Sequence, residues 1–102
     1  MSIGLKLRWL FVGRKVKAHN AEGIMLFHEK KYPEAEAELR RAIEVFPEHE
    51  VAHCNLGMVL MSQNRLREAE SEYRLAIRIN QEYADGFGEL GSLYHKLGRK
   101  AD

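Results

Sequence analysis

Several features that define common classes of protein are scarce or missing in this 102-residue sequence. Its single cysteine, Cys54, cannot form an internal disulfide, so nothing indicates an oxidising compartment and we expect a cytoplasmic protein. Sixteen basic and fifteen acidic residues nearly cancel, so net charge gives no reason to expect a nucleic-acid partner. No apolar run is long enough to span a membrane. The length fits a single domain, and the presence of only two prolines favours a chain rich in helix.

The chain repeats itself with a period of 34 residues. Gly23, Gly57 and Gly91 are separated by that step, and five further classes of position keep the same register. These classes are His19, His53 and Phe87; Leu26, Leu60 and Tyr94; Ala35 and Ala69; Leu39 and Tyr73; and Ala42 and Ala76. A period of this length is the signature of a helical-repeat protein.

Each unit of the repeat predicts two antiparallel helices. The predicted helices cover 16–29, 33–45, 50–63, 67–79 and 84–97. Pro33 suits the first turn of a helix, where its missing N–H is not needed. We expect Gly23, Gly57 and Gly91 to face the partner helix, because antiparallel helices approach closely where a side chain is nearly absent. The expected fold is all-α, with helix-turn-helix units stacked into a short solenoid.

This pattern resembles the tetratricopeptide repeat, whose signature places Leu-Gly and Tyr in the first helix and small residues in the second. The second unit matches at Leu56, Gly57, Leu60, Ala69, Tyr73 and Ala76, the first at Gly23, Leu26, Ala35, Leu39, Ala42 and Pro47, and the third at Phe87, Leu90, Gly91 and Tyr94. The sequence departs from the signature at His19, Glu22, His53 and Gln81. The resemblance covers about 16–98 and implies a right-handed solenoid.

The resemblance also divides the chain into repeats. Repeat 1 covers 16–49, repeat 2 covers 50–83, and 84–102 supplies the first helix of an incomplete third repeat that acts as a cap. Segment 1–15 is basic and apolar, and we favour a capping helix there. The remnant of a preceding second helix and a short strand also remain open, and we do not expect membrane contact by residues 1–15.

Residues 49–53 match the pattern H-E-x-x-H. On a helix this spacing can hold zinc between two histidines, with the glutamate as general base. Both histidines also have a place in the repeat. His49 closes repeat 1 after Pro47, and His53 occupies the aromatic position that His19 occupies one repeat earlier. The repeat therefore explains the match without zinc.

The rest of a zinc-protease signature is not present. Its extended form would place glycine and histidine where Leu56 and Val59 stand. A ligand further along the chain stays open among Glu68, Glu70 and Glu72. We expect no catalytic residue, no cofactor and no metal, with His49 and His53 as weak metal candidates only.

The resemblance implies a binding surface on the concave side of the solenoid, which the first helix of each unit lines. In repeat 1 the implied contacts are Lys17, Asn20, Ile24, Phe27 and His28. In repeat 2 they are Val51, Cys54, Met58, Met61 and Ser62, and in repeat 3 they are Asp85, Gly88, Ser92, His95 and Lys96. For Val51 and Cys54 the core is an equally good interpretation. For Met58 and Met61 we favour the groove, because thioether side chains suit adaptable apolar contacts.

Chaperone-binding members of the family hold a C-terminal carboxylate with lysine, arginine and asparagine side chains. At those positions this sequence has Asn20, Ile24, Asn55, Asp85 and Glu89. Only Asn55 matches, and the two acidic residues would repel an acidic tail. We therefore expect a protein or peptide partner other than the acidic C-terminus of heat-shock chaperones.

The expected function is that of a non-catalytic scaffold or adaptor that binds a partner's peptide or helix in an apolar groove. Self-assembly through the exposed repeat ends is the main alternative, because exposed apolar helix ends favour association. A zinc-dependent hydrolase built on residues 49–53 is the third hypothesis.

Overall fold

The computed structural model describes residues 3–98 and, within that range, every side chain except those of residues 3 and 5. Its helices are α1 (Ile3–His28), α2 (Tyr32–Val45), α3 (Glu50–Ser62), α4 (Leu66–Ile79) and α5 (Ala84–Lys96). The bounds of α2 to α5 agree with the predicted helices to within one residue at each end. The described residues contain no strand, so the all-α prediction is confirmed.

The turns inside the helical hairpins repeat with the same period as the helices. Lys30 follows α1 with φ at 61°, Asn64 follows α3 with φ at 62°, and Gly98 follows α5 with φ at 70°. A residue in this left-handed conformation commonly ends a helix and lets the chain reverse. The 34-residue step is therefore present in the backbone as well as in the side chains.

The helices form two layers. α1 packs against α2, and α3 packs against α4, as two antiparallel hairpins. α2 also contacts α3, and α4 contacts α5, which stacks one repeat on the next. Because α1 contacts α3 and α3 contacts α5, the first helices of the repeats lie side by side in one layer.

Two glycines allow the helices of each complete hairpin to approach closely. A Cβ atom built at Gly57 would lie 2.5 Å from Cε1 of Tyr73, and one built at Gly23 would lie 2.7 Å from Cγ of Leu39. Tyr73 and Leu39 are fully buried, so each fills the space that its glycine leaves. The predicted packing role of Gly23 and Gly57 is confirmed.

The same prediction is wrong for Gly91. No described atom lies within 4 Å of a Cβ built there. α5 is the last described helix, so no described helix packs over Gly91 as α2 and α4 pack over the other two glycines.

The described part of segment 1–15, from residue 3 onward, does not form a separate helix laid over repeat 1. From residue 3 onward it is the start of α1 and continues without a break into the first helix of repeat 1, so the short-strand alternative is wrong over the described part. Val16 is buried with Ala42 and Ala52, and Val12 packs against the same cluster. The residues before Val12 extend past this cluster. None of the five described helices combines the length and hydropathy that a bilayer-spanning segment needs.

Candidate partner-binding groove

A cavity lies between α1 and α3, at the junction of the first two repeats. Its volume is about 440 Å³. It is lined by Gly13, Val16, Lys17, Asn20, Phe46, His49 and Val51. Three of these residues, Lys17, Asn20 and Val51, belong to the surface expected from the sequence. We call this cavity and its lining residues the groove.

An amide pair connects the two helices that border the groove. The Nδ2 atom of Asn55 on α3 donates a hydrogen bond of 2.9 Å to Oδ1 of Asn20 on α1. Both side chains are half-buried. The bond fixes the rotamer of Asn20 and holds α1 and α3 together where they form the wall of the groove.

The buried His53 links the two helices of the second hairpin, α3 and α4. His53 is 4% exposed. Its Nδ1 lies 2.6 Å from Oε2 of Glu72 on α4, and its Nε2 lies 2.7 Å from the carbonyl oxygen of Pro47. One repeat earlier, Nδ1 of His19 lies 2.8 Å from Oε2 of Glu38 on α2. The histidine at the aromatic position therefore joins the two helices of its hairpin with a hydrogen bond in both repeats.

These contacts favour the charged form of His53. A carboxylate and a carbonyl both accept hydrogen bonds, so both ring nitrogens of His53 must donate. Burial opposes the charge on the ring, but the hydrogen bonds to Glu72 and Pro47 and the charges of Glu72 and Glu48 outweigh it, so the pKa of His53 is raised.

A comparison with protein families gives this architecture a name. A family model described as Tetratricopeptide repeat matches residues 26–90, which extends from the end of α1 into α5. The chain belongs to the tetratricopeptide repeat (TPR) family. No curated protein matches the chain. Membership of the TPR family makes the chain a protein-interaction module in the general sense.

In this TPR chain, both histidines of the H-E-x-x-H pattern make hydrogen bonds to other residues of the chain. His49 caps α3, because its Nδ1 accepts a hydrogen bond of 3.1 Å from the N–H of Ala52. Neither ring nitrogen of His53 has a free lone pair, since both donate hydrogen bonds. Within residues 3–98, no group of three or more His, Cys, Asp or Glu side chains is arranged to hold a metal ion.

Cys54 lies in the core and not on the groove surface. It is 2% exposed and packs in the largest buried cluster with Leu39, Leu56 and Tyr73. Burial raises the pKa of its thiol to about 11, so the thiol stays protonated at neutral pH. Of the two interpretations open for Cys54, the structure supports the core.

Met58 and Met61 lie between core and surface. Both are half-buried and pack against the largest buried cluster. The hydroxyl of Tyr73 points to the sulfur of Met61 at 3.8 Å. Their position shows that a change at either residue would disturb the core as well as any bound partner.

The remaining expected contacts fall into two groups. Ile24 and Phe27 are half-buried, and the Phe27 ring packs edge-on against His28 at 5.5 Å and tilted against Tyr32 at 5.8 Å between ring centroids. The exposed members are Lys17, His28, Ser62, Asp85, Gly88, Ser92, His95 and Lys96. The described cavities do not bring the repeat 3 residues into the groove.

Sequence reasoning missed Phe46 and His49 as lining residues, and Glu38 and Glu72 as histidine partners. A signal for the glutamates was present, because each stands 19 residues after its histidine and 34 residues from its counterpart. Phe46 and His49 gave no such signal, since they line the groove only because the turn after α2 passes its rim.

The second helices carry ion pairs that also follow the repeat. On α2, Glu36 pairs with Arg40 at 2.9 Å, and on α4, Glu70 pairs with Arg74 at 3.2 Å. Glu36 accepts a further hydrogen bond of 2.7 Å from Arg65, at the start of α4. Burial opposes the charge of Glu36, but the two arginines outweigh it and lower the pKa of its carboxyl group. The first two pairs each lie within one helix, and the Glu36–Arg65 contact links α2 to the N-terminus of α4.

Proposed function

We propose that this TPR chain is a non-catalytic adaptor of the cytoplasm that holds an apolar segment of a protein partner in the groove between α1 and α3. One observation carries the proposal: a cavity of about 440 Å³ is lined jointly by Lys17 and Asn20 of one repeat and Val51 of the next. Cavities of this size, apolar with a few polar groups, are typical of binding sites.

The chemistry of the groove suggests what it would hold. Val16, Phe46 and Val51 supply apolar contacts for one or two side chains of a partner. Lys17 is exposed at the edge and provides a positive charge for a carbonyl or carboxylate beside them. We therefore propose an apolar segment with a neighbouring acidic residue. Asp85 and Glu89 on α5 support the expectation that the highly acidic C-terminus of heat-shock chaperones is not the partner.

The experiment selects peptides from a displayed random library on the folded chain and measures their dissociation constants. For a peptide that binds in the groove, Lys17→Glu combined with Val51→Ser should weaken binding at least tenfold, as expected for the loss of one charge contact and one apolar contact.

Arg78→Glu supplies the matched control. Arg78 is exposed on α4, and its reversal changes the net charge by the same amount as Lys17→Glu. Affinity should be kept in this variant. Equal affinity of the wild type and the groove variant, with both folded, would reject the groove as the binding site.

We propose that residues 49–53 have no part in hydrolysis. The support is the commitment of His53 to Glu72 and Pro47 and of His49 to the N-terminus of α3. The discriminating assay is zinc content. Stoichiometric zinc, together with a melting temperature that falls on addition of a chelator, would favour the hydrolase hypothesis instead.

Self-assembly is a second candidate, and one observation favours it. A Cβ atom built at Gly91 on α5 would meet no described atom within 4 Å, although the equivalent glycines lie beneath a large side chain. A cavity of about 490 Å³ is lined by Arg67, Glu70 and Ser71 of α4 and by Leu97, which follows α5. A helix of a second copy could occupy this position. Light scattering over a range of concentrations tests this, and a mass equal to one chain throughout would exclude it.

A further inference from the structure

We propose that the first part of α1, residues 4–15, is a docking surface for an anionic lipid bilayer. This inference does not rest on the groove, because the two surfaces share only Gly13 and Lys17 at the edge of the cavity, and neither residue is changed in the test below. It revises the expectation that residues 1–15 do not contact membranes. That expectation depended on their apolar side chains being covered by repeat 1.

The structure leaves four described apolar side chains of this segment exposed. Leu7 is 55% exposed, Leu10 is 58% exposed and Phe11 is 66% exposed, and Trp9 is 56% exposed. They are four of the six exposed large apolar side chains of the described chain. Among the described side chains of α1, Val12 is the first that packs against a buried cluster, and about 12 Å of helix precedes it.

Three of these side chains form one face. Successive residues of a helix are turned by about 100°, so Leu7, Leu10 and Phe11 lie within an arc of roughly 100°. We call these three residues the outer stripe. Val12 and Val16, which pack against the core, lie on roughly the opposite side of α1. From Val12 onward the inner face of the helix therefore lies on the protein, and the outer stripe is directed away from that face.

Basic residues border the outer stripe on both sides. By the same helical geometry, Lys6 and Lys17 lie along one border, and Arg8 and Lys15 lie along the other. All four are exposed. At a bilayer surface, such side chains can keep their charges among the headgroups while their alkyl parts and the apolar face contact the acyl region.

Basic and acidic residues are distributed unevenly between this segment and the rest of the chain. Residues 1–21 contain five Lys and Arg and no Asp or Glu, whereas 22–102 contain eleven basic and fifteen acidic residues. Pairing of two such segments from two copies would bring like charges together. An anionic membrane surface attracts them, by about 1 kcal/mol for each basic residue near it. The charge distribution therefore favours a bilayer over a second copy of the segment.

The test is flotation of the chain with phosphatidylcholine vesicles, with and without phosphatidylserine. We expect binding to the vesicles that contain phosphatidylserine, little binding to the neutral ones, and release as salt rises to about 0.5 M. Leu10→Ser with Phe11→Ser should reduce the partition coefficient at least tenfold. Arg8→Gln with Lys15→Gln should reduce it by about fivefold for each charge removed.

Phe87→Ser is the matched control, because Phe87 is 52% exposed on α5, outside the segment. It should bind anionic vesicles as the wild type does. Equal binding to neutral and anionic vesicles, or no binding to either, would overturn the proposal. A dimer without vesicles that the outer-stripe variant dissociates would also overturn it, and would assign the stripe to a second copy.

Discussion

At the scale of single residues, His53 shows how a polar side chain takes over an aromatic position of the repeat. An aromatic ring would only fill the space between the helices of the hairpin. The imidazole of His53 fills it and also joins Glu72 on α4 to the carbonyl group of Pro47. Because a buried charge without partners is strongly destabilising, this arrangement requires both acceptors.

The charge of His53 makes stability depend on pH. Its pKa is raised in the folded chain, so its contribution is complete below the unfolded value of about 6.5 and is lost as pH rises through the folded value. The free energy of unfolding, from urea titration, should therefore fall as pH rises above about 6.5. Glu72→Gln should flatten this dependence, since it removes the charge that favours the imidazolium. If the free energy of unfolding depends on pH equally in the wild type and in Glu72→Gln, the pairing of charged His53 with Glu72 is contradicted.

Gly57 and Gly91 provide a matched pair for the role of close helix approach. A methyl group at position 57 meets the ring of buried Tyr73 at 2.5 Å, whereas one at position 91 meets no described atom within 4 Å. Gly57→Ala should lower the free energy of unfolding by about 1–2 kcal/mol, because overpacking outweighs the gain in helix propensity.

Gly91→Ala should raise the same quantity by about 0.5–1 kcal/mol, because alanine favours a helix interior. Chemical denaturation of both variants measures the two values. Destabilisation by Gly91→Ala comparable to that of Gly57→Ala would mean that another helix covers position 91, as in a second copy.

At the scale of the elements, α1 contains two parts with different surroundings. From Val16 to its end it packs in the first hairpin, and before Val12 the described apolar side chains, from Leu7 to Phe11, are exposed. Isolated helical turns are marginal in water without tertiary packing. The first part therefore depends on the second part, or on a bound surface, for its stability.

Amide hydrogen exchange should separate these two parts. We expect the amides of residues 7–11 to exchange at least roughly tenfold faster than those of residues 19–26, because local opening is easier where few side chains are buried. Anionic vesicles should slow exchange in the first part only. If the amides of both parts of α1 exchange equally slowly without vesicles, the expected difference in stability between the two parts is contradicted.

The helices themselves could be predicted closely because two independent signals agree at their ends. The 34-residue register fixes equivalent positions, and turn residues such as Asn64 and Gly98 end the first helices at the expected places. The start of α1 could not be predicted. Leu5 to Val12 are apolar on several sides of a helix, and no period distinguishes a cap from an extension.

At the scale of the whole molecule, the groove arises from the stacking of two repeats. Lys17 and Asn20 were accessible to prediction, since they follow from the position of each residue within its repeat. The contribution of Phe46 and His49 was not, because it depends on where the turn after α2 passes. The burial of Cys54 also depends on stacking, since α3 lies between α1, α4 and α5 and has few exposed positions.

Binding of a partner in the groove between α1 and α3 can be tested with amide chemical shifts of the isotope-labelled chain, recorded while a selected peptide is added. We expect the largest changes at Lys17, Asn20, Val51 and their neighbours, and little change at α4 residues such as Arg78. Changes concentrated on α2 and α4, with none at these groove residues, would contradict it.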